Sequence, residues 1–228
     1  MPNADQHGRT QINYRRPLWI GVGLLAAGVL LAVGIFVGLG NETFGIDRAW
    51  QDLLAASRGP VALWFAYAMD FLGGGWFGVF AVPVVGGVIL VLVRRPWAAL
   101  YFVVAQAASA GVVQILKHAV GRARPEDIIV VSDFGSFPSG HVANAATIAV
   151  ALLVIFPHWW VALAGAVWTL AMAFTRTYLG AHWLSDTIGG ALVGAGAALL
   201  VAAAFARPLA TEQARLRARA PQRNDLPG

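Results

Sequence analysis

The sequence predicts an all-α polytopic membrane protein: six transmembrane helices with an extracytoplasmic loop and an interfacial helix. Three observations predict it. Of 228 residues, 58% are hydrophobic and only 12% charged, against about 45–50% and about 25% in ordinary soluble domains. The apolar residues fall in uncharged runs, and about 20 helical residues cross a hydrocarbon core of about 30 Å. The basic residues and tryptophans gather at the ends of those runs. The net charge of +5 is therefore read as topological, with no nucleic-acid partner. The chain has no cysteine, which excludes disulfides, thiolate catalysis and thiolate metal sites.

The first run, 18–39, has 22 residues without a charge. It exceeds the roughly 7–15-residue apolar region of a cleaved signal and reads as a retained anchor after a polar segment, 1–17. Residues 41–72 form a longer outer segment. Within it Ile46, Trp50, Leu53 and Leu54 recur at helical spacing and predict a helix lying on the membrane surface. Asp70 and Gly73-Gly74-Gly75 break any continuous helix before the second span, 75–93. Spans three to six occupy 97–116, 142–156, 159–174 and 184–206, the fourth and fifth being short and completed by flanking loops. One unit, 18–206, is thus flanked by the segment 1–17 and a basic, solvated tail, 207–228.

With both termini in the cytoplasm, the inner segments carry Arg9, Arg15, Arg16, Arg94, Arg95, Arg207, Arg215, Arg217, Arg219 and Arg223, ten of the 16 basic residues. That is the positive-inside bias. Trp19, Trp97, Trp159, Trp160 and Trp183 sit at span ends, as interfacial aromatic belts require.

Three polar clusters stand out against this apolar background, where polar groups are expensive. Lys117 ends the third span and is followed by Arg122, Arg124 and Pro125. Pro138-Ser139-Gly140-His141 directly precedes the fourth span, and residues 175–186 link the fifth to the sixth. The 34 residues between His141 and Arg176 suffice for one helix inward and one back, at about 25 Å per leg. All three clusters therefore meet at one membrane face, the outer one. Lys117, Arg124 and Arg176 supply cations suited to tetrahedral oxygens. Ser139 and Gly140 open a helix whose free N–H groups and dipole favour an anion. His182 and Asp186, four apart, share a helical face, so the carboxylate fixes the imidazole as its other nitrogen attacks phosphorus. His141 remains as general acid. Taken singly each feature has a plain structural reading: a snorkelling lysine, a loop turn, a helix cap, a hydrogen-bonded His–Asp pair. Asp70 and Asp133 lie on the outer side without a role demanded by spacing, and His118 and Arg122 read as facing solvent or headgroups.

Residues 117–125 match K-x6-R-P, residues 138–141 match P-S-G-H, and Arg176 to Asp186 matches R-x5-H-x3-D. In this order and spacing the sequence resembles the type 2 phosphatidic acid phosphatase superfamily of integral membrane lipid phosphatases over residues 18–206. Thr175 stands where the family usually has serine and keeps the hydroxyl. The resemblance implies that His182 is the nucleophile, passing through a phosphohistidine, and His141 the proton donor. It further implies phosphate binding by Lys117, Arg124, Ser139, Gly140 and Arg176, no metal or other cofactor, and an extracytoplasmic site. The expected substrate is a lipid phosphomonoester or diphosphate held in the bilayer: phosphatidic acid, phosphatidylglycerol phosphate, polyprenyl diphosphate or lipid A. The competing readings are a phosphatase of soluble esters, a vanadium-dependent haloperoxidase sharing these motifs, and a transporter, which would place its polar groups near the midplane. Oligomeric state is not legible.

Overall fold

The computed structural model describes residues 14–38 and 43–219. Arg9, Leu39, Asn41 and Arg223, together with most of the segment 1–17, lie outside the described residues. Every regular element among the described residues is helical. In chain order they are α1 (Arg15–Val33, continued by a π-helical turn, Gly34–Gly38), α2 (Gly45–Ala56), α3 (Pro60–Gly73), α4 (Val82–Leu92, led in by a π-helical turn, Phe77–Ala81) and α5 (Pro96–Val120). Then follow α6 (Gly140–Ile155), α7 (Trp159–Tyr178), α8 (Leu184–Ala204) and α9 (Ala206–Arg219).

Large apolar side chains cover the outside of this bundle: Trp19, Leu30, Val61, Leu92, Trp159 and Leu170 are each at least two-thirds exposed. Such a surface is stable only against lipid, and the chain is a membrane protein. Three helices, at Arg15–Val37, Pro96–Val120 and Leu184–Ala204, are long and apolar enough to cross a bilayer singly. Pro60–Gly73 and Phe77–Leu92 are apolar enough only as a pair, which is bent by 45° at the break between them, so the count is three, or four if the pair crosses as one. The break falls at the glycine run, as expected, but the second half of the supposed outer segment is helical. The six-span count goes beyond these, because α6 has only 16 residues. Helix α7 runs on through Tyr178, so Arg176 sits in its last turn rather than in a loop.

Helix α8 is the hub, packing most extensively on α1 and α6. Its small residues explain why. A Cβ on Gly190 or Gly194 would collide with the α6 backbone at Ser139 and Ala143, and one on Gly196 with Leu25 of α1. Small residues let backbones approach closely where lipid offers no hydrophobic drive to association. Thr147 of α6 adds hydrogen bonds to Ser109 of α5 and to the Gly194 carbonyl, and Asn144 bonds the carbonyls of Gly73 and Gly78 across the break. The start of α6 is thereby fixed beside the start of α8.

Two elements at the ends of the bundle add to what the sequence predicts. Helix α2 forms, but its buried face is mixed: Asp47 and Gln51 are enclosed beside Leu54, while Ile46 and Leu53 are about two-thirds exposed. Trp50 donates to the Thr177 hydroxyl and Gln51 to Asp127, so α2 is strapped to the end of the bundle. The basic tail begins as α9, and its buried Glu212 accepts hydrogen bonds from the backbone N–H groups of Trp97 and Ala98. That carboxylate caps the first turn of α5, where the helix dipole favours it.

Candidate active site

Helix α5 delivers Lys117 in its last turn and stops at Gly121, whose φ of 60° suits the left-handed conformation glycine favours after a helix end. The chain then forms the 121–139 loop, which folds back over Lys117. Gly135, also at positive φ, brings its carbonyl to 2.7 Å from Lys117 Nζ and 2.8 Å from Arg124 Nη2. Asp133 joins the same two cations, at 3.2 Å from Lys117 and 2.8 Å from Arg124. Half-burial alone raises the Asp133 carboxyl, but Lys117, Arg124 and His182 together bring it below the ordinary carboxylate range.

From the other side, α6 starts at Ser139, whose backbone N–H donates to the Asp186 carbonyl. Ser139 is the N-cap by position, yet its hydroxyl caps nothing: it is buried with no hydrogen-bond partner. The free N–H groups of the first turn of α6 lie beside it. His141 follows, with Nε2 at 3.1 Å from the Asp70 carbonyl and 3.0 Å from its carboxylate. Arg176 Nη1 donates to that same carboxylate, and its Nε is buried without a partner.

His182 lies in the short link before α8, fully enclosed. Its Nδ1 is 2.7 Å from the Ser136 carbonyl, so Nδ1 carries the proton and Nε2 keeps its lone pair. Arg124 Nη1 is 3.4 Å from Nε2. Burial first, then the charges of Arg176, Arg124, Lys117 and His141, holds this imidazole well below its ordinary value. The sign is clear: a depressed value keeps the ring neutral, hence nucleophilic, at pH below the usual histidine value of about 6.5. The limb of kcat/KM that reports His182 protonation is accordingly expected well below pH 6.5; a pH–rate profile whose acid limb lies at or above that value would contradict the geometry.

The partner of His182 is a correction. Asp186 lies 3.7 Å from Nδ1, beyond a hydrogen bond, so the Ser136 carbonyl fixes the tautomer. Asp186 instead accepts from the Trp183 N–H at 2.9 Å and from Arg122 at 2.6 Å. Arg122 is the second correction, being almost wholly buried rather than facing solvent. It bridges Asp186 to Asp47 of α2 at 2.8 Å and donates to Ser185, while the Ser185 hydroxyl and N–H both bond Asp47. Nearly every polar group in this network is satisfied, the condition under which buried charges are tolerated.

The structure thus gathers Lys117, Arg124, Ser139, Gly140, His141, Arg176, His182 and Asp186 at one end of the bundle. Lys117, Gly140, His141, Arg176 and His182 line a single cavity of about 850 Å³. The cavity continues between helices, walled by Phe80, Pro83 and Val84 on one side and by Val103, Ala107 and Ala110 of α5 on the other. Asp70, Asp133, Arg122, Asp47 and Ser136 were not among the expected site residues. No sequence signal pointed to Arg122, because Asp47 has Arg48 beside it and Asp52 five residues on, and so reads as an ordinary surface acid.

Fold and site together define an all-helical membrane protein with a pocket lined by cations and histidines at one end of its helices. A model of the PAP2 superfamily matches residues 98–209, the stretch carrying all three motifs. It is 39% identical over 105 residues to the lipid A 1-phosphatase of Rhizobium johnstonii, covering 41% of this chain and 42% of that protein. It is 40% identical over 60 residues to the undecaprenyl-diphosphatase of Sulfolobus acidocaldarius, covering 26% and 28%. The chain therefore spans less than half the length of these curated relatives. The fold is similar to that of the transmembrane PAP2-type phosphatidylglycerolphosphate phosphatase of Bacillus subtilis, with a TM-score of 0.70 at 24% identity over 80% of this chain and 94% of the other.

Proposed function

We propose that the protein is a membrane lipid phosphatase, cleaving a lipid phosphomonoester or diphosphate through a phosphohistidine on His182. One observation carries this reading: a neutral imidazole, its Nδ1–H tied to Ser136, faces a cavity ringed by cations at one end and walled by apolar helices along the rest. In the first step the His182 Nε2 lone pair forms a bond to phosphorus as the bond to the leaving oxygen breaks, and His141 protonates that oxygen. Lys117, Arg124, Arg176, the Ser139 hydroxyl and the N–H groups around Gly140 stabilise charge on the equatorial oxygens. Asp186 acts at one remove, through the Trp183 N–H and Arg122 that shape the loop bearing His182. In the second step water attacks phosphorus, the N–P bond breaks, and His141 takes the water's proton.

The apolar walls suit a lipid tail, and the names of the relatives, a lipid A phosphatase and an undecaprenyl-diphosphatase among them, support a lipid phosphate. The basic residues support six spans with both termini cytoplasmic and the site outside. Residues 18–206 form the catalytic unit in this reading, with α9 docked to it through Glu212.

The test is phosphate release by purified protein in detergent or nanodiscs. The panel comprises phosphatidic acid, phosphatidylglycerol phosphate, a polyprenyl diphosphate, lipid A and a soluble sugar phosphate. At least one lipid is expected to outpace the soluble ester by tenfold or more in kcat/KM, with activity unchanged in EDTA. Preference for the soluble ester, or loss in EDTA restored by a divalent ion, would contradict the proposal.

A further inference from the structure

Asp70 belongs to none of the three motifs and lies near the end of α3, one turn before the glycine break. Its single carboxylate reaches two groups of the proposed machinery, His141 Nε2 and Arg176 Nη1. The His141 contact is double, because the Asp70 carbonyl oxygen accepts as well. Two oxygen acceptors at one nitrogen keep the proton on Nε2, which leaves Nδ1 as the nitrogen that exchanges protons with the reaction. The groups facing His141 are Asp70 from α3, Arg176 from α7 and His182 from the link before α8; Lys117 of α5 and Asp133 of the 121–139 loop lie across the same cavity. Among the three nearest, Asp70 alone is anionic. Burial and Arg176 favour the neutral ring at position 141, and Asp70 is the group that opposes them; without it an imidazolium there would face only a guanidinium and a neutral ring.

The break is shaped for this contact. A Cβ on Gly74 would run into the His141 ring at Nε2 and Cε1, so glycine there lets the ring reach Asp70. Asn144, one turn below His141, ties the same break to α6 through the carbonyls of Gly73 and Gly78.

We propose that Asp70 is a positioning residue for the proton donor: its carboxylate holds His141 by Nε2–H, stabilises the imidazolium, and anchors Arg176 by Nη1 so that Nε is left for the phosphoryl oxygens. This rests on the reading of His141 as the acid. In the transfer the Nδ1–H bond of the imidazolium breaks and its proton goes to the leaving oxygen, which also takes the electron pair of the P–O bond. The ring returns to its neutral Nε2–H form, still bonded to Asp70.

The experiment compares wild type with Asp70→Asn and Asp70→Glu in pH profiles of kcat/KM. It uses two substrates, a lipid alkyl phosphate and an aryl phosphate whose leaving oxygen needs no proton. Asp70→Asn is expected to move the basic limb down by about one pH unit or more. At neutral pH it should lower kcat about 100-fold on the alkyl phosphate and far less on the aryl phosphate, with Asp70→Glu recovering part of the loss. An unmoved limb, or equal losses on both substrates, would overturn the assignment and leave Asp70 a packing residue. Should Asp70→Asn not fold, Gly74→Ala carries the same test, because it pushes His141 off Asp70 without changing charge; equal losses on both substrates would again overturn the assignment. A wild type that is active on both substrates beside an unmoved limb refutes this inference alone, whereas a wild type releasing no phosphate from either refutes the phosphatase reading and the inference with it.

Discussion

Replacing His182 with alanine is expected to reduce phosphate release by about 10⁴-fold or more while the variant still folds. The asymmetry follows from what the ring touches. Its one strong hydrogen bond is to the Ser136 carbonyl, and losing a single such bond costs about 1 kcal/mol. The proposed reaction, in contrast, loses the atom that would bond to phosphorus, and the remaining cations could only bind the substrate. A steady-state assay beside a thermal melt in the same detergent checks both halves. Residual activity within tenfold of wild type would remove His182 from the reaction, and a collapsed melt would make it structural.

The opposite pattern is expected at Arg122. Its guanidinium stands between two carboxylates, and all three side chains are sealed from solvent. Arg122→Leu leaves Asp47 and Asp186 buried without their cation, a change that costs about 3–5 kcal/mol. Activity falls as well, because Asp186 holds the Trp183 N–H and the link bearing His182. The loss should be partly reversible by design: Asp47→Asn in the Arg122→Leu background removes one stranded charge. It is expected to recover about 1 kcal/mol or more in a double-mutant cycle. Additivity in that cycle, or a melt of Arg122→Leu indistinguishable from wild type, would show that the network carries no weight.

The contrast between these two residues explains what was legible in the sequence. Helices appeared as runs because the bilayer dictates their length, and His182, Lys117 and Arg176 appeared as members of motifs whose residue types suit an oxyanion. The α3 helix was hidden: its polar end at Asp70 and the glycine break made residues 60–73 look like the tail of a loop. Arg122 occupies a variable position between Lys117 and Arg124, and nothing local distinguishes a buried arginine from a snorkelling one; its burial depends on Asp47, 75 residues away. The role of Ser136 was illegible for a different reason. It acts through a backbone carbonyl, which every residue has, and only the fold of the 121–139 loop aims it at His182. Helix α2 was legible from its apolar spacing, but the burial of Asp47 with its cation on the inner side was not.

Orthovanadate offers the most direct test, because it mimics the five-coordinate phosphoryl group in transit. In a structure of the vanadate-bound protein, the vanadium should be bonded to His182 Nε2, with its equatorial oxygens on Lys117, Arg124, Arg176 and the start of α6. The apical oxygen should lie towards His141. Vanadate bonded to a different side chain, or held away from His182 by only some of these cations, would contradict the claim that they form one cradle for one phosphoryl group.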